Sequence, residues 1–417
     1  MGVGEVPILL DDLIIAMVIG LSLTRLFTQG AVRGSLPIPY TTVSTLFLCL
    51  IAYKTIAFLS LSMFLPWTRS VTYEKGVVFT EGVFVLVKLV FLFLSYSFVL
   101  LSLRERRDSQ KALRVMILCM ALVVFYGLVQ FFILNHTVVT STFRNIYKMG
   151  FSVPGVWDFA DPWFGDATIG HEHLGAFLNI TFSLIAGLLF CGYPAKKYQR
   201  YSLGLLWACC MFCLVYASSR GAWVGTVCSL AMLFLWFLQQ GRIAQLFSYC
   251  VYATLGLAVL VYALDLDPIE LIGKRIEGLV TVTSGEITDL SAIDRFEVLH
   301  LLWNRYLERP LVGWGAGGAG RIAEGQYIRE LVEGGIIGGI LFMAMLFYCV
   351  GIALKHYRRS SDSLIKGSNL GLICGLAGIA GQSLFTELFI VTKVGNPLWV
   401  LIAIVQSLGL QEDRTVQ

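Results

Sequence analysis

The chain has little charge for its size. Only 14% of its 417 residues are Asp, Glu, Lys or Arg, whereas 57% are hydrophobic. A soluble domain with this composition could not cover its own surface, so the sequence excludes a water-soluble globular fold. Its apolar segments are continuous runs of roughly 20 residues, not the alternating ten-residue segments of a barrel. The sequence therefore predicts an all-α polytopic membrane protein.

Other signals are also missing. No basic region precedes the first apolar stretch, which follows Asp11 and Asp12, so no cleavable signal peptide is expected. The net charge is only +4, and the basic residues stand in short clusters between apolar runs. That pattern sets membrane topology and gives no sign of nucleic-acid binding. Most of the ten cysteines lie inside apolar runs, which favours packing as small hydrophobic residues.

Eleven apolar segments are predicted to span the membrane, with ten or twelve left open. They are about 8–26, 44–66, 77–103, 115–134, 173–192, 202–218, 222–239, 245–264, 326–351, 367–388 and 395–410. No internal repeat and no linker divides the chain, so residues 1–417 are interpreted as a single membrane domain.

The basic clusters predict the orientation. They follow the third, fifth, seventh and ninth segments, all on one side, which the positive-inside rule assigns to the cytoplasm. The C-terminus is then cytoplasmic and the N-terminus outside, unless a first element has been missed. Two long loops, 135–172 and 265–325, are predicted outside. Loops of this length with aromatic and glycine residues indicate function.

Arg220 stands in the run CLVYASSRGAWVG, where one apolar segment ends and the next begins after a few small residues. So short a turn keeps the guanidinium at or below the outer interface, where an unpaired arginine is costly. Its planar fork suits bidentate binding of phosphate oxygens. A snorkelling interfacial anchor is the alternative.

An amphipathic helix outside the membrane is predicted in the stretch AIDRFEVLHLLWNRYLERPLVGWGAG, because apolar residues recur there at helical spacing. These apolar residues are Phe296, Leu299, Leu302, Trp303 and Tyr306. Arg295 falls near the start of this helix, either as a functional residue or as an ordinary surface residue.

The ninth segment begins EGQYIRELVEGG, which places Glu324, Arg329 and Glu333 at the membrane boundary. Arg329 and Glu333 are four residues apart and can pair with each other on a helix. Glu324 has no partner at that spacing, so it is our candidate for a general base.

His171 and His173, in GHEHLGAFL, stand at the outer end of the fifth segment. Substrate contact or a polar helix start is favoured over a metal site, because no matching cluster of ligands accompanies them. Lys54, Lys88 and Glu387 are ionisable residues within apolar segments, which indicates functional or paired roles. Glu387 is the one predicted near the outer site.

Taken in order, four segments between about 168 and 340 resemble the O-antigen ligase and polymerase superfamily. They are GHEHLGAFL, SSRGAWVG, DRFEVLHLLWNRYLERPLVGWGAG and QYIRELVEGGIIG. The last is similar to the family pattern HNxYLxxxxExGxxG, in which Tyr327, Glu333 and Gly338 keep their places. Glu324 and Gly325 stand where the family has His-Asn, so the ligase histidine is absent.

The resemblance implies a C-type glycosyltransferase-like fold in the bacterial inner membrane, with its active site facing the periplasm. It implies transfer of a glycan from an undecaprenyl-diphosphate donor by a metal-independent, inverting reaction, with no cofactor. Arg220 and Arg295, with Arg321 as a third, are the candidates to bind the diphosphate, because fixed cations stabilise its developing charge. Glu324, or His171 or His173, would serve as base, and Tyr327 and Glu387 would contact substrate.

Within this class the missing histidine favours a polymerase that extends a surface polysaccharide. A ligase that transfers the glycan to lipid A-core or another acceptor is the alternative, and a chain-length regulator is a partner that the sequence leaves open. A transporter or flippase of lipid-linked sugars is the more remote alternative. It would be expected to show broken helices or repeated halves with charges near the membrane midplane.

Overall fold

The computed structural model describes residues 41–64, 75–103, 105–134, 171–217, 219–242, 290–320 and 325–416. Within these residues the chain is helical and contains no strand. The helices are α1 (Thr42–Phe64), α2 (Lys75–Ser102), α3 (Arg106–Leu134), α4 (His171–Phe190), α5 (Lys197–Tyr216), α6 (Arg220–Gln239), α7 (Leu290–Glu308), α8 (Gln326–Arg359), α9 (Ser363–Gln382) and α10 (Thr392–Val416).

Eight of these helices are long and apolar enough to cross a membrane, which makes the chain a multi-pass membrane protein. A helix also overlaps each of the nine predicted spans that fall on described residues, but the helix of the predicted span 367–388 ends at Gln382, so Glu387 lies in the turn that follows. Helix α5 covers the predicted span 202–218 but is not among the eight, and its first turns carry Lys197, Gln199 and Arg200. The predicted spans 8–26 and 245–264 lie outside the described residues.

Helix α9 lies at the centre of the bundle, packed against α4, α6 and α8, while α10 packs against α2 and α3. Small residues allow this packing. A Cβ placed on Gly187 of α4 would come 2.4 Å from both the Gly367 carbonyl oxygen and the Gly371 nitrogen of α9. Helices in lipid gain most of their association from such close backbone contact, so glycine is required at this crossing.

The predicted cytoplasmic clusters lie together at one end of the bundle, here called the basic end. Arg106, at the start of α3, pairs with Asp362 just before α9. Ser360, at the end of α8, donates to Glu412 Oε1 at 2.8 Å near the end of α10. The last turns of α4 and α6 meet through Phe190 and Phe237. The described helices therefore bring these clusters to one end of the bundle, and the assignment of that end to the cytoplasm stays a prediction.

Candidate functional site

At the end opposite the basic clusters, the start of α8 packs on the turn between α9 and α10, residues 383–391. The backbone N–H of Gln326 donates to the Ser383 carbonyl at 3.0 Å. Gly325, the residue before α8, lies so close that an added Cβ would come 3.0 Å from the Leu384 carbonyl oxygen. The residue that follows the predicted base is thus packed directly on this turn.

The starts of α4 and α6 also pack on this turn. Gln382 Nε2 donates to the Glu172 carbonyl at 2.8 Å, and Thr386 Oγ1 donates to Glu172 Oε2 at 2.9 Å. Gly221 lies against it from the other side, since an added Cβ would be 3.6 Å from Phe385 Cβ. Three helix starts that are far apart in the sequence therefore converge on residues 383–391.

Arg220 lies where these helix starts meet, directly after the short turn that the sequence predicted. Helix α5 ends at Tyr216 and α6 begins at Arg220, with Ser219 as the N-cap, its Oγ accepting from the Ala222 N–H at 3.2 Å. Arg220 is partly exposed. A helix N-terminus already favours anions, and a cationic side chain there strengthens that preference.

Three further residues predicted from the sequence lie around the same turn. Glu387 is part of it, His173 is in the first turn of α4, and Tyr327 is in the first turn of α8. The Tyr327 hydroxyl donates to the Ala380 carbonyl at 2.9 Å, which ties α8 to α9. Tyr327 therefore has a structural contact in addition to any substrate contact.

The remaining predicted residues are described only in part or not at all. His171 is the first residue of α4 and Arg295 belongs to α7, but their side chains lie outside the described part of the structure. Arg321 and Glu324 fall between Gly320 and Gly325, outside the described residues. Their proposed roles stay predictions.

A buried network of charges, here called the charged junction, lies directly beside the turn. Lys54 of α1 is 0% exposed and contacts Glu330 at 2.8 Å and Glu333 at 3.0 Å. Arg329 contacts Glu333 at 2.9 Å and also pairs with Glu387. The predicted pairing of Arg329 with Glu333 is confirmed, and the charge of Lys54 within its apolar helix is explained by two carboxylates.

Glu333 also binds the segment that follows α7, residues 309–320, here called the glycine-rich segment. The Gly317 N–H donates to Glu333 Oε1 at 3.1 Å, while the Gly315 N–H donates to the Glu333 carbonyl at 2.9 Å. Glu333 is 0% exposed, so its charge is balanced only within the protein. Outside the membrane spans, burial raises the pKa of Glu387 to about 7, against the lowering effect of Arg329.

Helix α8 is broken at Gly335, which has φ 58° and ψ −162°, a conformation open almost only to glycine. The break frees backbone groups, which are satisfied by the segment after α7 and by Tyr53 of α1. The Ile336 N–H donates to the Pro310 carbonyl at 2.8 Å, and the Tyr53 hydroxyl donates to the Gly334 carbonyl at 2.9 Å. The segment after α7 is thus hydrogen-bonded to α8 at its break.

The position of the break along α8 indicates its depth. The uncharged stretch from Ile336 to Leu354 is about 28 Å long at ~1.5 Å per residue. That length matches the ~30 Å hydrocarbon core of a bilayer. Gly335 and the charged residues before it therefore lie where α8 leaves the hydrocarbon, at the membrane boundary.

A second network, here called the neutral junction, connects α4, α6 and α9 just below the turn. Asn179 Nδ2 donates to the Ala222 carbonyl at 3.0 Å and to Gln382 Oε1 at 3.1 Å, and Thr226 Oγ1 donates to Asn179 Oδ1 at 2.7 Å. The sequence analysis missed these residues. Their signal was the presence of amide side chains within otherwise apolar helices, where such groups need partners.

Comparison with known proteins gives no identification. No protein-family model matches the chain, and none of the curated proteins matches it significantly in sequence. Across the described residues, no group of three or more His, Cys, Asp or Glu side chains is arranged to hold a metal ion.

Proposed function

We propose that the protein is a membrane glycosyltransferase that polymerises undecaprenyl-diphosphate-linked oligosaccharides at the periplasmic face of a bacterial inner membrane. The observation that carries this proposal is the convergence of the starts of α4, α6 and α8 on one turn. Residues selected separately from the sequence (His173, Arg220, Tyr327 and Glu387) are brought together there.

The depth of this region suits such a donor. A lipid-linked diphosphate keeps its tail in the hydrocarbon and its phosphates at the membrane boundary. The charged junction and Arg220 lie at that level, beside the end of the apolar stretch of α8. Arg220 would bind the diphosphate through its planar fork, with Arg295 and Arg321 proposed as further ligands.

The chemistry then requires little beyond electrostatics and one base. The acceptor hydroxyl loses its proton to a base as its oxygen attacks the anomeric carbon, and the lipid diphosphate departs with the electrons of the broken bond. Fixed cations stabilise that departing charge when they are preorganised. Glu324, next to Gly325 on the turn, is our proposed base, with His171 and His173 as alternatives. A single displacement of this kind inverts the anomeric centre.

A transporter of lipid-linked sugars is the second candidate, favoured by one observation. The break at Gly335 beside buried charges is the kind of discontinuous helix that transporters use at their binding sites. In those sites the unwound backbone groups are available to a ligand near the midplane. Here Pro310 and Tyr53 occupy them, and the break lies at the boundary, so the enzyme reading is preferred.

The direct test is glycan synthesis by the purified protein with a lipid-diphosphate-linked oligosaccharide from the host, with EDTA present throughout. Wild type should give a ladder of longer lipid-linked chains. Arg220→Ala should lower the rate on the order of 100-fold, as the removal of one preorganised donor does elsewhere. Arg220→Lys keeps the charge but loses the planar fork, so its rate should lie between those of wild type and Arg220→Ala.

The matched control is Arg242→Ala, which removes an exposed arginine at the other end of α6 and should leave the rate close to that of wild type. Thermal unfolding in detergent checks that each variant is folded. A single shifted product that needs a separate acceptor would indicate a ligase instead. No bond formation with any acceptor would overturn the enzyme proposal.

A further inference from the structure

Helix α7 presents three different faces. One face packs on the start of α8, with Leu302 and Tyr306 buried against Ile328 and Val332. A polar face carries exposed side chains. They are Glu297, His300, Asn304 and Glu308, and the exposed Leu301 lies beside them. Between these two faces runs a third, which is apolar and exposed.

The exposed apolar face is a regular stripe at helical spacing, not a scatter of single residues. It consists of Phe296, Leu299, Trp303 and Leu307. Phe296 is 62% exposed and Trp303 48% exposed, so the stripe is open along the helix. The sequence analysis placed Phe296, Leu299 and Trp303 on one hydrophobic face with Leu302 and Tyr306. The structure divides that set into a packed part and an uncovered part, and Leu307 adds to the uncovered part.

This stripe continues into the outward surface of a membrane-spanning helix. Leu311 and Val312 follow α7 and are exposed. The Leu311 carbonyl accepts from the Ile337 N–H, which joins this segment to the point where the apolar stretch of α8 begins. Ile336, Ile337 and Ile340 on α8 are exposed as well. Exposed apolar residues therefore recur from α7 through Leu311 and Val312 to the start of the apolar stretch of α8.

We propose that α7 lies in the membrane surface, with the stripe Phe296, Leu299, Trp303 and Leu307 inserted among the lipid acyl chains of the leaflet beside the candidate site. Because exposed apolar residues recur from this stripe to the apolar surface of α8, lipid is the partner that covers the stripe. An interfacial helix has apolar residues below and polar residues above, which matches these faces. Trp303 has the amphipathic ring that is enriched at membrane interfaces.

This placement has a consequence for the candidate site. The stacking of Arg305 and Arg309 on Trp314 fixes α7 to the glycine-rich segment, with Arg309 4.2 Å from the ring centre. A helix seated in the lipid surface would therefore hold that segment, and the break at Gly335, at a constant depth. The inference does not depend on whether the protein is a polymerase or a transporter.

The test uses the full-length protein in proteoliposomes of phosphatidylethanolamine and phosphatidylglycerol. The photoreactive amino acid p-benzoylphenylalanine replaces either Trp303 or its neighbour Asn304, which lies on the polar face. A second pair, Phe296 and Glu297, repeats the comparison about two turns away. After illumination, mass spectrometry of the protein quantifies covalent phospholipid adducts, and thermal unfolding confirms that each variant is folded.

Several-fold more lipid adduct at positions 296 and 303 than at 297 and 304 is the expected result. Equal yields within both pairs would overturn the proposal, because lipid contact would not follow the apolar stripe. Crosslinks from positions 296 and 303 to other parts of the chain, in place of lipid, would also overturn it and show that protein covers this face.

Discussion

The charged junction and the neutral junction lie at the same end of the bundle and meet at the turn after α9, but they hold it by different interactions. In the charged junction, Lys54 and Arg329 pair with three carboxylates across α1, α8 and the turn. In the neutral junction, Asn179, Thr226 and Gln382 exchange hydrogen bonds across α4, α6 and α9.

The difference concerns what happens when one member is lost. Removal of one partner of a buried ion pair leaves a charge in a low-dielectric environment, which typically costs about 3–5 kcal/mol. Removal of a neutral hydrogen-bonding group that leaves its partner unsatisfied typically costs about 1–3 kcal/mol. We therefore expect the arrangement of α8 and the glycine-rich segment to be less tolerant of substitution than the arrangement of α4 and α6.

The largest effect is expected for Glu333→Ala. Lys54 keeps Glu330 and Arg329 keeps Glu387, but Lys54, Arg329 and the Gly317 N–H each lose a hydrogen bond to a buried carboxylate. Because hydrogen bonds to charged groups contribute about 1.5–3 kcal/mol each, the free energy of unfolding should fall by about 3–5 kcal/mol, seen as a much lower thermal midpoint in detergent.

The control for Glu333→Ala is the double variant Lys54→Met with Glu330→Gln, which removes one charge of each sign. It should retain more stability than Glu333→Ala. If Glu333→Ala unfolds at the wild-type temperature, the charged junction does not stabilise the fold.

The pH dependence of stability should reveal the same junction. The pKa of Glu387 is about 7, above its ordinary value of 4.5, so the folded protein holds this proton more tightly than the unfolded chain. Stability should therefore fall as pH rises from about 4.5 to about 7 and level off above it, by up to about 3 kcal/mol.

The measurement compares the thermal midpoints of wild type and Glu387→Gln between pH 4 and pH 9. Subtracting the thermal midpoint of Glu387→Gln from that of wild type at each pH removes the contribution of other titrating groups. A difference curve without slope between about pH 4.5 and 7 would contradict the assignment to Glu387.

In the neutral part of the bundle, close packing should be more sensitive than hydrogen bonding. Gly187→Ala places a methyl group 2.4 Å from backbone atoms of Gly367 and Gly371, which cannot move away easily. Overpacking of this kind costs about 1–3 kcal/mol. Gly204→Ala on α5 is the matched control, because nothing lies within 4 Å of its added Cβ. Equal thermal midpoints for the two variants would show that the α4–α9 crossing is looser than described.

The smallest effect is expected for Thr226→Val, which keeps the side-chain shape and removes the donor to Asn179 Oδ1. A loss of about 1 kcal/mol is predicted, and Thr226→Ser should restore most of it. A loss as large as that of Glu333→Ala would remove the distinction between the two junctions.

The sequence predicted the described helices well, because apolar runs of membrane length are an unambiguous signal. It also predicted the short turn before Arg220 and the pairing of Arg329 with Glu333, since both depend on residues close together in the chain. These features are local, so their residue spacing determines them.

The features that were missed depend on distant residues. Lys54 pairs with Glu333 across 279 positions of the chain, and no local pattern indicates which carboxylate it meets. The sequence predicted a single span over 326–351 and gave no sign of a break within it. The break at Gly335 forms only because Pro310 and Tyr53 supply the hydrogen bonds that α8 gives up.

The most direct test of the central claim measures glycan growth and lipid movement on the same proteoliposomes. The donor is a fluorescent lipid-diphosphate-linked oligosaccharide, and its exposure on each leaflet is followed while the products are resolved by size. Our account predicts longer chains in wild type, loss of that growth in Arg220→Ala, and no accelerated lipid movement in either. Rapid movement of the donor between leaflets without any new glycosidic bond would contradict it and identify a transporter.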